Sequence, residues 1–223
     1  TDDFGVSLID EGVIAFGTGN PDETVKSEKT VNDGSWHHVA ARRNGESGEV
    51  AIFIDGVKSV TGQQSTQDLD TQSQIYFGNN PCDVSNNRQY FDGKLDDVRI
   101  YSDYISDSEI DSTLTTPKHP FASWKSDSGQ DLKPLAHWTL DAGKGQKIYD
   151  AVGERDGKLG GSLNRESSDP KWLNDCRFKG CLEFDGKDDH VVIDNAGDLD
   201  DNETISAFAW IKRDEIDSRQ AIF

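Results

Sequence analysis

The sequence predicts an all-β fold, a sandwich of two antiparallel sheets sharing one core. Two observations carry this. The hydrophobic period is two almost everywhere, as in "EVAIFIDG", where Val50, Ile52 and Ile54 alternate with Ala51 and Phe53. Gly, Asp and Asn separate such runs, and helical spacing is confined to "ISDSEI". A chain of 223 residues can form one large all-β domain or two small ones, with a sizeable core.

The elements follow in chain order. "FGVSLIDEGVIAFGTG" and "EVAIFIDG" read as strands, and "GKLDDVRIY" reads as a strand that closes a domain. After it Ser106 is placed to cap a short helical turn, with Glu109 at the capping-box position. Residues 115–134, "TTPKHPFASWKSDSGQDLKP", carry three prolines and no alternation, which is linker composition. Phe121 and Trp124 within it are expected to dock on a neighbouring surface. "LAHWTLDAGKGQKIYD" then reads as the beginning of a domain. In "ISAFAWIKRD", Ile205, Ala207, Ala209 and Ile211 alternate with Phe208 and Trp210. Trp36, Trp138 and Trp210 lie in apolar strands and are assigned to the core. An ending therefore precedes a beginning.

Charge and cysteine content bound the function. The 42 acidic residues against 23 basic ones give a net charge of −19, which repels nucleic-acid phosphates and fits a secreted, cation-rich setting. No apolar run approaches a membrane span, and with no methionine in the chain upstream sequence is expected. Cys82, Cys176 and Cys181 contain no CxxC pair, so no zinc site is expected. Cys176 and Cys181 bracket "RFKG", a plausible turn between strands. A disulfide there would place the protein in an oxidising compartment; the alternative is two reduced thiols. Cys82 is left over, buried or free.

Two stretches carry a family resemblance. "DGSWHHVAARRNGESGEVAIFIDGVKS" followed by "YFDGKLDDVRIYSDYISDSEI" resembles the C-terminal half of a laminin-G-like, concanavalin A-like jelly-roll domain of bacterial type. "LAHWTLDAGKGQKIYDAVGERDGKLGG", "CLEFDGKDDHVVI" and "TISAFAWIKRD" resemble its N-terminal half. Residues 1–114 thus correspond to the C-terminal half and 135–223 to the N-terminal half. The resemblance implies a two-sheet jelly roll, often calcium-binding, in secreted and cell-surface proteins that bind carbohydrate or mediate adhesion. The order of the halves departs from the family: the chain is circularly permuted, or cut out of phase from a tandem array.

A linker of about 20 residues reaches roughly 60 Å when extended, enough to turn back within one molecule. Docking within the chain also enjoys a millimolar effective concentration. A half-domain alone would expose a sheet face and open edges. One sandwich closed within the chain is expected, with exchange of halves between chains as the alternative.

Calcium takes several oxygen ligands. Asp96 and Asp97 on the closing strand face opposite sides by alternation, with Asp96 at the rim of the face bearing Val98 and Ile100. Asp141 ends a strand, and Asp150 and Asp156 occupy the Gly-rich loop beyond it. The resemblance implies one ion shared by Asp96, Asp141, Asp156 and the Gly157 carbonyl. Each aspartate taken singly is equally a turn former. His37 and His38 are adjacent on a strand and cannot ligate one ion from one face. "FDGKDDHV" reads as a tight turn with Asp185, Asp188 and Asp189 at its tip, and "NET" at Asn202 is a glycosylation sequon.

Two functions follow. The first is a noncatalytic extracellular module that binds a glycan or cell-surface polysaccharide, using Tyr90 and the amide-rich loop 78–89 with Asn79, Asn80, Asn86 and Asn87. The second is a structural repeat of a surface array or stalk, assembled by exchange of half-domains. A glycoside hydrolase is disfavoured: Glu215 and Asp217 suggest a carboxylate pair, but Gln220 stands where a further acid is sought. No Ser-His-Asp or Cys-His arrangement is evident.

Overall fold

The computed structural model describes residues 4–19, 23–67, 69, 74–81, 89–114, 124–125, 131–196, 204–213 and 219–223. Period-two alternation acts directly. Val50, Ile52 and Ile54 enter the main core, while Ala51 and Phe53 enter a second cluster on the other face of the same strand. That strand is therefore buried on both sides.

The strands run in chain order: β1 (Phe4–Ile9), β2 (Val13–Thr18), β3 (Glu23–Thr30), β4 (Trp36–Arg43), β5 (Glu49–Ile54) and β6 (Val57–Gln63). Then come β7 (Ile75–Phe77), β8 (Asp92–Tyr101) and the helix α1 (Asp107–Thr113). β9 (Trp124–Lys125) and β10 (Asp131–Leu132) follow, then β11 (Ala136–Trp138), β12 (Lys147–Ile148) and β13 (Gly157–Leu159). The last are β14 (Lys171–Leu173), β15 (Cys181–Asp185), β16 (Val191–Ile193), β17 (Ile205–Lys212) and β18 (Gln220–Ala221).

The large sheet has the order β14-β15-β8-β17-β4-β5-β6, with β11 also on β8. Facing it across the core are two smaller sheets, β18-β1-β2-β3 and β12-β13-β16-β7. These two meet where the Gly78 N–H donates to the Ile222 carbonyl at 2.9 Å. Strands from both sides of the linker interleave: β17 lies between β8 and β4, and β18 pairs with β1. Within the linker, Asp131 pairs with Lys125 and Leu132 with Trp124, a short ladder where the sequence predicted none. Phe121 lies outside the described residues.

The core between the layers is apolar and closed. Trp138 is fully buried and meets Phe77 edge to face at 5.2 Å, while its indole N–H donates to the Arg155 carbonyl. Trp36 is only half-buried, at the start of β4.

The outer face of the large sheet is covered by α1. Its start has the expected capping box: the Glu109 N–H donates to Ser106 Oγ and the Ser106 N–H to Glu109 Oε2. Ile110 is pressed into Ala40, Phe53, Tyr101 and Phe208. Arg42, almost wholly buried, holds the helix start by pairing with Asp107 at 2.8 Å and donating to the Ile105 carbonyl. Its guanidinium also stacks 4.1 Å from the Tyr104 ring centre. No helix among the described residues is long and apolar enough to cross a membrane.

Candidate functional site

The carboxylates expected to share a calcium ion are not brought together. β8 carries a bulge opposite β17, where pairing shifts between Phe208 and Trp210, and Asp97 there has φ 54°. The extra residue breaks the alternation. Asp96 therefore does not share the core face of Val98 and Ile100; it lies across from Trp210, and its Oδ2 accepts the Phe178 N–H at 3.1 Å. Asp141 Oδ1 accepts the Gly180 N–H at 2.9 Å. Both carboxylates thus brace the short loop that the Cys176–Cys181 disulfide closes, with Cα atoms 5.8 Å apart. That loop lays Arg177 over the Trp210 ring at 4.2 Å, so Trp210 belongs to the outer face and not to the main core.

Asp156 belongs elsewhere. Its Oδ1 accepts the Asp150 N–H at 3.1 Å, and Asp150 in turn accepts from the backbone of His137, Val152 and Arg155. The Gly-rich loop is held by aspartate turn chemistry. Gly157 opens β13, pairing with Ile148. The expected set of Asp96, Asp141, Asp156 and Gly157 is thus divided between two loops: one oxygen each of Asp96 and Asp141 accepts from the disulfide loop, and one of Asp156 accepts the Asp150 N–H.

Among the described residues, one acidic group has its ligand atoms within 4.8 Å of one another: Asp185, Asp188 and Asp189. It sits on the β15–β16 turn, where Gly186 adopts φ 72°. The sequence placed all three at an exposed tip, but Asp189 is buried, and its Oδ2 accepts the Asp185 N–H at 2.9 Å. Burial, and then the charge of Asp185, push the Asp189 carboxyl up to about 7. The donors are hard carboxylate oxygens, the chemistry that suits calcium.

A second feature is a groove of about 460 Å³ on the outer face of the β18-β1-β2-β3 sheet. Its floor is made of small residues in register: Ala221, Ser7 and Ala15 in one row, Gly5 and Gly17 in the next. A Cβ on Gly17 would come within 3.1 Å of Thr24 Oγ1, so glycine keeps the floor low. The wall carries Tyr76, Gln74, Asn79, Asn80 and Gln89. The Tyr76 hydroxyl donates to Gln74 Oε1 at 2.7 Å, the Gln74 amide donates to Asp194, and Lys158 pairs with Asp194 at 2.8 Å. This relay fixes the Tyr76 ring on the wall.

Of the residues expected to hold a ligand, Asn79 and Asn80 line this groove, whereas Tyr90 is buried. Asn86 and Asn87 lie outside the described residues, as do Cys82, Asn202, Glu215 and Asp217. Tyr76 was missed. Its signal was parity: Phe77 faces the core, so its neighbour in a three-residue strand faces away.

Residues 1–111 match the family model for a laminin G domain, described as the concanavalin A-like lectin/glucanases superfamily. The match places residues 1–111 in that superfamily. No solved structure matches the chain. The laminin G match spans β1 to β8 and most of α1, hence the wall strand β7 and the groove floor apart from Ala221 of β18.

A buried charged cluster on the outer face of the large sheet joins β8 of the matched region to β11. Arg99 Nη2 pairs with Asp97 Oδ2 at 2.7 Å, and His137 Nε2 meets Asp97 Oδ1 at 2.7 Å. All three are at most 4% exposed, closed to any substrate, and Arg99 brings no nucleophile. Beside them His38, 2% exposed, packs against Phe208 and Trp210, with Nε2 3.2 Å from Thr113 Oγ1. Burial pushes its pKa down to about 3, so the imidazole is neutral.

Proposed function

We propose that the protein is a noncatalytic, extracellular recognition or adhesion module that binds carbohydrate in the groove over β18-β1-β2-β3. The observation that carries this is the lining of the groove. A floor of glycine, alanine and serine lets a flat ring approach the sheet, Tyr76 offers an aromatic face, and Asn79, Asn80 and Gln89 bring polar amide side chains to the lining. Superfamily membership supports the same reading at a coarser level.

A noncatalytic role is supported by the carboxylates. A glycosidase needs two flanking the scissile bond. Among the described groove residues there is one, Glu23, and its Oε2 accepts the Ser65 N–H at 2.7 Å.

The proposal includes one structural calcium ion, held by Asp185, Asp188 and Asp189 in place of the set expected from sequence. It also includes the permuted order of the jelly-roll halves, for which the pairing of β18 with β1 and the insertion of β17 between β8 and β4 are the support. Secretion fits the Cys176–Cys181 disulfide and the net charge of −19.

A glycan array with the folded chain, beside Tyr76→Ala, tests the reading. Binding to at least one glycan, lost in Tyr76→Ala, is expected. A blank array at high protein concentration would favour the structural-repeat role.

A further inference from the structure

Two of the described residues lining the groove carry charge, Glu23 and Arg219. Glu23 is engaged by the Ser65 N–H. Arg219 is exposed, and its backbone is anchored at one margin of the floor: the next residue, Gln220, pairs with Leu8, and the Ala221 N–H donates to the Gln89 carbonyl at 2.7 Å. At the opposite margin, Lys26 falls in the register row Ala221–Ser7–Ala15–Lys26 and so shares the outer face. From β18 to β3 is three strand spacings, roughly 14 Å. On a chain with net charge −19, both margins of this floor carry a cation.

We propose that the groove takes a carboxylated oligosaccharide, one built with uronic-acid units, and that Arg219 is its specificity-determining residue. This rests on the carbohydrate reading above and names the sugar class. The guanidinium fork matches a carboxylate in a two-point, charge-assisted contact that a hydroxymethyl group cannot make. Asn79, Asn80 and Gln89 are neutral and complement ring hydroxyls without repelling the acid. On a chain of net charge −19, Arg219 is the basic residue among the described lining residues, so attraction of an acid into the groove depends on it.

Calorimetric titration of the folded chain with oligomers of galacturonic, glucuronic and mannuronic acid, each as the free acid and as the methyl ester, tests it. For at least one sugar, the acid form should bind about ten- to a hundredfold more tightly than its ester, the range for a hydrogen bond to a charged group. The gap should close in Arg219→Gln, recover in part in Arg219→Lys, and shrink with added salt. Tyr76→Ala should weaken acid and ester alike. Equal affinity for acid and ester, a gap that survives Arg219→Gln, or binding of neutral array glycans alone would overturn the carboxylate contact and leave the carbohydrate reading standing. No binding of any form, together with a blank glycan array, would overturn both.

Discussion

The Val6 N–H donates to the Phe223 carbonyl at 2.6 Å, and the Ile222 N–H returns a bond to the Val6 carbonyl at 2.9 Å. The first and last described strands are thus neighbours, and the Phe223 ring lies 6.5 Å from Phe77 in the core. This closure adds Ala221 to the groove floor and sets Arg219 at its margin.

Joining residue 223 to residue 1 through a short Gly-Asp turn, and opening the chain between 115 and 130, should therefore give the same sandwich. The expected circular dichroism spectrum and amide-shift dispersion match the parent, with a monomeric mass by light scattering for both. A permutant that is unfolded, or a parent that is dimeric with exchanged halves, would refute closure within one chain. Removing residues 220–223 should instead unfold the protein, since β18 and the core side chains Ile222 and Phe223 are lost together.

His38 sets a pH dependence. Its folded pKa is near 3 against about 6.5 unfolded, because burial first, and Arg99 next, disfavour the cation; Asp97 and Asp55 act the other way, while Arg177 adds to the lowering. The folded state therefore binds fewer protons between these values. The stability from a neutral His38 is fully present above about pH 6.5 and is lost as pH falls toward 3, by about 1.4 kcal/mol per pH unit in the steep region. Urea unfolding at pH 4 to 7 should show His38→Gln with a slope shallower by close to one proton. An unchanged slope would show that His38 does not titrate on unfolding.

Alternation made the sandwich legible. Val50, Ile52 and Ile54, or Ala207, Ala209 and Ile211, can only face one way in a strand, and they fill the core as read. The capping box of α1 was equally local, four consecutive residues with complementary side chains. The bulge at Asp97 was not legible, because a positive φ at an aspartate leaves no composition signal, and one inserted residue reverses the face of Asp96. Nor was the engagement of Asp96 by Phe178, a contact 82 positions away in the chain. Asn79 and Asn80 could be read as surface amides, but the relay from Lys158 through Asp194 and Gln74 to Tyr76 exists only after β7 and β16 pair.

Calcium should act through the β15–β16 turn. An ion binding only the folded state stabilises it by roughly 2.7 kcal/mol at a hundredfold excess over its dissociation constant. Melting in calcium should exceed melting in chelator, and Asp185→Asn with Asp188→Asn should remove the difference. Asp156→Asn should leave it intact. Identical curves for the wild type in calcium and chelator would count against any structural ion.

The most direct test of carbohydrate recognition in the groove is a two-dimensional NMR titration of the labelled chain with the best array-positive oligosaccharide. The predicted shift changes centre on the amides of Gly5, Gly17, Asn79, Asn80 and Gln89 and the ring of Tyr76, leaving the Asp141–Asp156 loop still. Changes centred on that loop or on the disulfide loop, with the groove amides unmoved, would contradict it.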